Sequence, residues 1–236
     1  MPRPDGRHPD EMRPTALEPR ANPYAEGSCL ARMGGTLVHC TASVEPGVPR
    51  FRANTGLGWV TAEYAMLPRA TSERNDRERH GPGGRSSEIQ RLIGRSLRAA
   101  MRDFRFGEYT IKIDCDVLVA DGGTRCASIT GGCVALAHAC AWLAERTGTP
   151  SAFGRQVAAI SVGKIAGEPR LDLGYLEDRD ADVDANVVML EPNALVEVQA
   201  TGEQGTFDRQ ELDALLDLAE SGLRRLFDMQ RSAIAG

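Results

Sequence analysis

From residue 109 to residue 119, apolar and polar positions alternate with period two, which predicts a strand with one buried face. Residues 28–33 and 36–44 are strand-like runs on either side of Gly34-Gly35, a hairpin signal, and a further strand is predicted over 59–66. Residues 156–166 and 168–173 flank Gly167 in the same way, and 186–190 and 195–200 read as two more short strands. Elsewhere the period changes to that of a helix. Over 86–101, Ile89, Leu92, Ile93, Leu97 and Ala100 fall on one stripe, with Arg91, Arg95, Arg98 and Arg102 on the opposite one. Ser86 and Ser87 are the expected caps of that helix, and Arg98 and Arg102 read as its solvated face.

Residues 128–144 are apolar nearly all round, as in a helix at the centre of a core. The last helix is expected to start at Asp208, with Glu211 at the capping-box position. Its apolar stripe is Leu212, Leu215, Leu216, Ala219, Leu223, Leu226 and Phe227. Residues 1–23 are rich in proline and aperiodic, and read as an extended arm. With no long linker and no internal repeat, residues 1–236 read as a single α+β domain.

The composition, 42% apolar and 26% charged over 236 residues, is that of an ordinary globular chain. The net charge of −5 hides two unlike halves, +5 over residues 1–105 and −10 over 106–236. Such asymmetry fits a basic binding face on an acidic body. Of the 28 basic residues, 26 are arginine. Arginine suits bidentate phosphate recognition, but a GC-rich coding bias gives the same composition, so position has to decide. Residues 69–85 carry Arg69, Arg74, Arg77, Arg79 and Arg85 with few apolar residues and read as an exposed basic loop.

The six cysteines form no C-x-x-C pair and have no histidine at a zinc-like spacing, and Cys133 and Cys140, in an apolar segment, read as small hydrophobes. His8, His39, His80 and His138 are scattered and read as structural or solvated. There is no uninterrupted apolar run of about 18 residues and no apolar stretch behind the first charges. The default expectation is a cytoplasmic protein.

Two places carry candidate chemistry. Gly122-Gly123-Thr124-Arg125 lies between a strand and a helix, where glycines let the backbone approach an anion and free helix N–H groups point outward. Thr124 adds a hydroxyl and Arg125 a fork of donors. The turn matches neither a Walker loop nor a dinucleotide fingerprint. The second place is the acidic run around Asp178, Asp180, Asp182 and Asp184. Carboxylates that close together stay in place when solvated or when holding a cation such as Mg²⁺. A phosphate cradle with an acidic or metal-binding site is the combination that phosphoryl transfer requires.

A chain with these residues resembles the ribonuclease PH family almost end to end. The likeness rests on Arg3-Pro4-Asp5-Gly6-Arg7, Gly58-Trp59-Val60-Thr61-Ala62-Glu63-Tyr64, Glu88-Ile89-Gln90-Arg91-Leu92-Ile93-Gly94-Arg95, Ala120-Asp121-Gly122-Gly123-Thr124-Arg125 and Asp184-x-Asn186-Val187-Val188. The resemblance implies a ribosomal-protein-S5-domain-2-like fold of mixed β-sheets packed with helices, and a homohexameric ring built as a trimer of dimers. It implies phosphorolytic 3′-to-5′ trimming of tRNA precursors and other structured RNAs, rRNA included, with release of nucleoside diphosphates. Arg85, Gly123, Thr124 and Arg125 would hold the attacking inorganic phosphate. Asp178 and Asp184 would be the catalytic acids or the Mg²⁺ ligands. Arg69, Arg74, Arg77, Arg91 and Arg95 are then candidates for following the RNA backbone, although in the family part of the basic loop looks like a subunit contact instead.

Two departures from the family pattern stand out. Arg179 replaces the usual serine and is expected to lower the pKa of Asp178, favouring a metal role for that residue. Residues 51–55 lack the family's Lys-Gly. An alternative reading is a catalytically inactive RNA-binding ring subunit of exosome type. A small-molecule kinase is disfavoured, because Thr55-Gly56-Leu57-Gly58 leads into a strand rather than a helix.

Overall fold

The computed structural model describes residues 3–78 and 81–236. Arg79 of the basic loop and His80 lie outside the described residues. The larger of two sheets contains β1 (Thr15–Pro19), β2 (Gly27–Met33), β3 (Thr36–Pro46), β4 (Trp59–Met66) and β5 (Tyr109–Val119), in the order β1-β2-β3-β5-β4. Gly34-Gly35 turns β2 into β3 as expected. β4 runs parallel to β5, Glu63 opposite Asp114, while the other pairs are antiparallel. The crossover between β4 and β5 is helix α1 (Gly84–Ala100).

Helix α2 (Thr124–Thr147) packs on β2, β3 and β5 on one side and on β6 (Val157–Ile165) of the second sheet on the other. Its length and hydropathy would suit a membrane span, but 83% of its most apolar window is buried inside the protein, so it is the central core helix. The second sheet adds β7 (Glu168–Leu171), β8 (Val183–Leu190) and β9 (Ala194–Gly202) in the order β7-β6-β8-β9. Between β7 and β8 lies the short helix α3 (Tyr175–Arg179), and α4 (Arg209–Ala235) covers β6 and β7. One apolar core runs through both sheets, with Ile113 of β5, Leu136 of α2, Ile160 of β6 and Leu223 of α4 all fully buried.

Three local expectations change. The first twenty-odd residues are not a free arm: β1 pairs along its length with β2, and Arg3 and Arg13 are buried against α3 and β7's end. Helix α1 begins after Gly83 rather than at Ser86 or Ser87, and the Ser86 hydroxyl donates to Glu78 Oε1 at 2.9 Å instead of capping. Arg98 is not solvated. Its guanidinium is half-buried, donates to the Val60 carbonyl at 3.1 Å and lies 4.8 Å from the centre of the Trp59 ring, whereas Arg102 is exposed as expected. The Asp208–Glu211 capping box of α4 forms as expected, Glu211 N–H donating to Asp208 at 2.9 Å.

Candidate active site

The C-terminal ends of β4 and β5, the first turn of α2, α3 and the start of β8 meet around a cleft of about 460 Å³. It opens beside a wider cleft with which it shares Met66 and Arg85, and Arg77 lines the latter. The strand β5 ends in Asp121-Gly122-Gly123, where both glycines have positive φ (75° and 67°). A Cβ on Gly122 would stand 2.8 Å from the Leu173 carbonyl oxygen and 2.9 Å from Tyr175 N, so glycine lets this turn lie against the start of α3. The turn is pinned from three sides. Thr36 Oγ1 donates to the Gly122 carbonyl (2.6 Å) and accepts from Asp121 N–H (2.8 Å), and Arg13 Nη1 donates to the Asp121 carbonyl (2.5 Å). Arg13 itself is buried and bonded to Asp172 through its backbone N–H, Nε and Nη2.

Helix α2 starts directly behind this turn. Its first backbone bond is Ala127 N–H to Gly123 O, so the N–H groups of Thr124, Arg125 and Cys126 have no acceptor inside the helix. Together with the helix dipole they make the mouth of α2 favourable to an anion. Thr124 Oγ1 is 2.9 Å from the hydroxyl of Tyr64 on β4. Arg125 Nη1 donates to Gln199 Oε1 of β9 at 2.7 Å and to Glu88 Oε1 of α1 at 3.4 Å. Arg85, on the exposed first turn of α1, lines the opposite wall.

Asp178 of α3 and Asp184 of β8 line the same cleft. Asp184 accepts from Asn186 Nδ2 at 3.5 Å, and its other oxygen, Oδ1, is buried with no hydrogen-bond partner among the described residues. Burial, reinforced by repulsion from Asp178 and opposed in part by Arg125, pushes its pKa up to about 6. Neighbouring Glu177 points the other way and is buried among arginines, so α3 presents one acid to the cleft and one to the interior. Arg179 does not turn towards Asp178. It makes two bonds to Asp180, at 2.7 and 2.8 Å, which corrects the expectation that it acts on Asp178.

The fold therefore gathers Arg85, Gly123, Thr124, Arg125, Asp178 and Asp184 around one cleft. It does not gather the five arginines assigned to RNA. Arg77 reaches the wider cleft, Arg74 pairs with Asp76 at 2.8 Å, Arg95 pairs with Glu197, and Arg69 and Arg91 are exposed. Sequence reasoning missed Tyr64, Ser161 and Gln199, all near the site. Tyr64 stands at an inward position of a period-two strand, where an aromatic side chain reads as core. Ser161 Oγ accepts from Leu173 N–H at 3.0 Å and steadies the approach to α3. Nothing in the pattern of β9 sets Gln199 apart.

Models of the 3′ exoribonuclease family match most of the chain, domain 1 over residues 11–141 and domain 2 over residues 155–222. Among solved structures, the crystal structure of rice (Oryza sativa) Rrp46 is similar with a TM-score of 0.81 at 20% identity, over 99% of this chain and 100% of that one. An Archaeoglobus fulgidus exosome with RNA bound to the active site is similar at 0.81 and 22% identity, over 96% of this chain and 92% of that one. An archaeal exosome core is similar at 0.78 and 22% identity, over 98% of this chain and 91% of that one. At these identities the solved structures establish the shared fold, the ribosomal-protein-S5-domain-2-like arrangement that the sequence implied.

Proposed function

The chain belongs to the 3′ exoribonuclease family, the family of ribonuclease PH, and from that premise we propose that it is a phosphorolytic 3′-to-5′ exoribonuclease. The observation that carries the proposal is the gathering of Arg85, Thr124, Arg125, Asp178 and Asp184 in the lining of one cleft. A phosphate dianion must approach an anionic diester, and cationic donors offset the repulsion while fixing the direction of attack. Arg85, Arg125, the Thr124 hydroxyl and the open N–H groups of α2 hold inorganic phosphate in this reading. A phosphate oxygen attacks the terminal phosphorus of the RNA. The bond to the preceding 3′ oxygen breaks, and a nucleoside 5′-diphosphate and an RNA shorter by one nucleotide leave.

The departing 3′ oxygen needs its charge neutralised, and Asp178 and Asp184 stand where this happens. Two carboxylates, one with a buried oxygen bonded to nothing, fit Mg²⁺, which takes one or two carboxylates along with water and substrate oxygens. Asp178 and Asp184 would hold it, and it would supply Lewis-acid neutralisation at that oxygen. The alternative to a metal role is that Asp184, with its pKa raised to about 6, keeps a proton often enough near neutrality to serve as the acid itself. Precursor tRNA 3′ ends and other structured RNAs such as rRNA are the proposed substrates, acted on by a homohexameric ring.

The test is the shortening of a 3′-tailed RNA with and without inorganic phosphate. Shortening that requires phosphate and yields nucleoside diphosphates supports phosphorolysis, and nucleoside monophosphates formed in phosphate-free buffer would refute it. The similarity to an archaeal exosome core favours a second reading, an RNA-binding ring subunit without activity. RNA binding with no shortening under any phosphate concentration would select it.

A further inference from the structure

Two of the side chains expected to grip phosphate, Thr124 and Arg125, are each held by a residue from a distant part of the fold. Tyr64 is 3% exposed, and its hydroxyl is 2.9 Å from Thr124 Oγ1. A neutral phenol and a threonine hydroxyl each carry one proton and can accept as well as donate. Whichever of the two donates, the bond fixes the side chain of Thr124 against β4 and holds its hydroxyl at the mouth of α2.

Gln199 holds Arg125 by a comparable logic. Its Nε2 donates to Glu88 Oε1 at 3.2 Å and to Glu197 Oε1 at 3.0 Å, so the amide cannot turn over without setting its oxygen against two carboxylates. Its Oε1 therefore faces Arg125 Nη1 at 2.7 Å. Glu197 is in turn anchored by Arg95 of α1. Both bonds that restrain the Arg125 guanidinium, to Gln199 and to Glu88, fall on Nη1. Nη2 and Nε have no bond to any described residue and remain available to a ligand. An arginine held by one corner with the rest of its fork open is oriented in advance of binding.

We infer that Tyr64 and Gln199 are positioning residues for phosphate, Tyr64 aiming the Thr124 hydroxyl and Gln199 aiming the Arg125 guanidinium into the cleft. The inference rests on the phosphorolytic reading and adds to it a pair of residues that never touch substrate. It also gives Arg95 a second task, as the anchor of Glu197 behind Gln199.

The experiment uses the full chain and inorganic phosphate as the probe, with binding measured by calorimetry without RNA and rates measured with RNA. Tyr64→Phe and Gln199→Leu each raise the Kd and the KM for phosphate together by about 5- to 10-fold, the loss of one or so hydrogen bond's worth of orientation. kcat at saturating phosphate and KM for RNA stay within about 2-fold, a split that general loosening would not produce. In the Thr124→Val background, Tyr64→Phe adds no further loss of phosphate affinity, because Tyr64 acts through Thr124. Gln199 is half-exposed on β9, so its variant keeps the fold and tests the inference even if Tyr64→Phe does not. Unchanged phosphate affinity in folded variants overturns the inference while leaving phosphorolysis intact, provided Arg125→Ala abolishes phosphate binding. If Arg125→Ala binds phosphate like the parent, the site reading and the inference fall together.

Discussion

Arg3 grips both carboxylate oxygens of Glu177, 174 positions along the chain, with Nε at 2.9 Å from Oε1 and Nη2 at 2.7 Å from Oε2. Arg170 Nη1 adds a bond at 3.1 Å and Gly174 N–H another at 3.2 Å, and the Arg3 and Glu177 side chains are almost wholly shielded. Because Glu177 immediately precedes Asp178, this buried pair sets how α3 presents its outward acid to the cleft.

Burial alone raises the pKa of Glu177, but the bonds from Arg3, the Gly174 amide and Arg170 outweigh it and hold the carboxyl below the usual glutamate range. A folded-state pKa below the unfolded value of about 4.3 contributes stability above that pH, lost as pH falls through the folded value. Glu177→Gln should cost about 3–5 kcal/mol at pH 7, because it leaves buried arginine charge uncompensated. It should also flatten the acid limb of the stability curve below about pH 4. Urea unfolding from pH 3 to 7 measures both, and an unchanged acid limb would contradict the assignment.

Asp184→Asn should trade activity for stability. Turnover should fall by about 100-fold or more as the acid or ligand is lost. Yet the native carboxylate is strained by burial, by Asp178 and by an unpartnered oxygen, and its pKa is raised to about 6. A raised folded-state pKa means that stability is complete below the unfolded value and is lost as pH climbs through the folded one. The amide should therefore gain about 1–2 kcal/mol at pH 7 in chelator-containing buffer, and little at pH 4. Unfolding curves at the two pH values decide it.

Gly122→Ala and Gly167→Ala form a matched pair, with φ of 75° and 79°. At Gly167 nothing lies within 4 Å of an added Cβ, so alanine should cost about 1–2 kcal/mol of backbone strain and leave RNA shortening unaffected. At Gly122 the same methyl meets backbone atoms on the way into α3, so the loss should be larger and activity should fall with it. Equal effects on activity would show that the turn's position is not what the cleft depends on.

Arg91 and Arg98 lie on the same helix but should behave oppositely. Arg98→Ala removes the bond to Val60 and the stacking on Trp59 and should lower stability by about 1–2 kcal/mol. Arg91 is exposed, and Arg91→Ala should leave the melting temperature in place. If it lies on the RNA path, it should weaken RNA binding on all sequences and reduce the salt slope by about 1. Fluorescence titration of RNA across salt concentrations, alongside melting curves, separates the two.

What the amino-acid order by itself determined is local. The period-two runs, the Gly34-Gly35 and Gly167 turns, the apolar α2 and the Asp208–Glu211 cap are written in neighbouring residues, because side-chain direction and turn geometry repeat over a few positions. The motifs around Gly123 and Asp184 were legible for the same reason and marked two parts of one site. Only the tertiary structure decided which of two adjacent acids faces the cleft, since Glu177 and Asp178 look alike until Arg3 and Arg170 pack against one of them. It also decided that Ser86 answers to Glu78 rather than to its helix, and that Tyr64 and Gln199 stand behind Thr124 and Arg125. Those choices come from contacts between elements tens of residues apart, and such contacts follow from how sheets and helices stack. No local pattern encodes them.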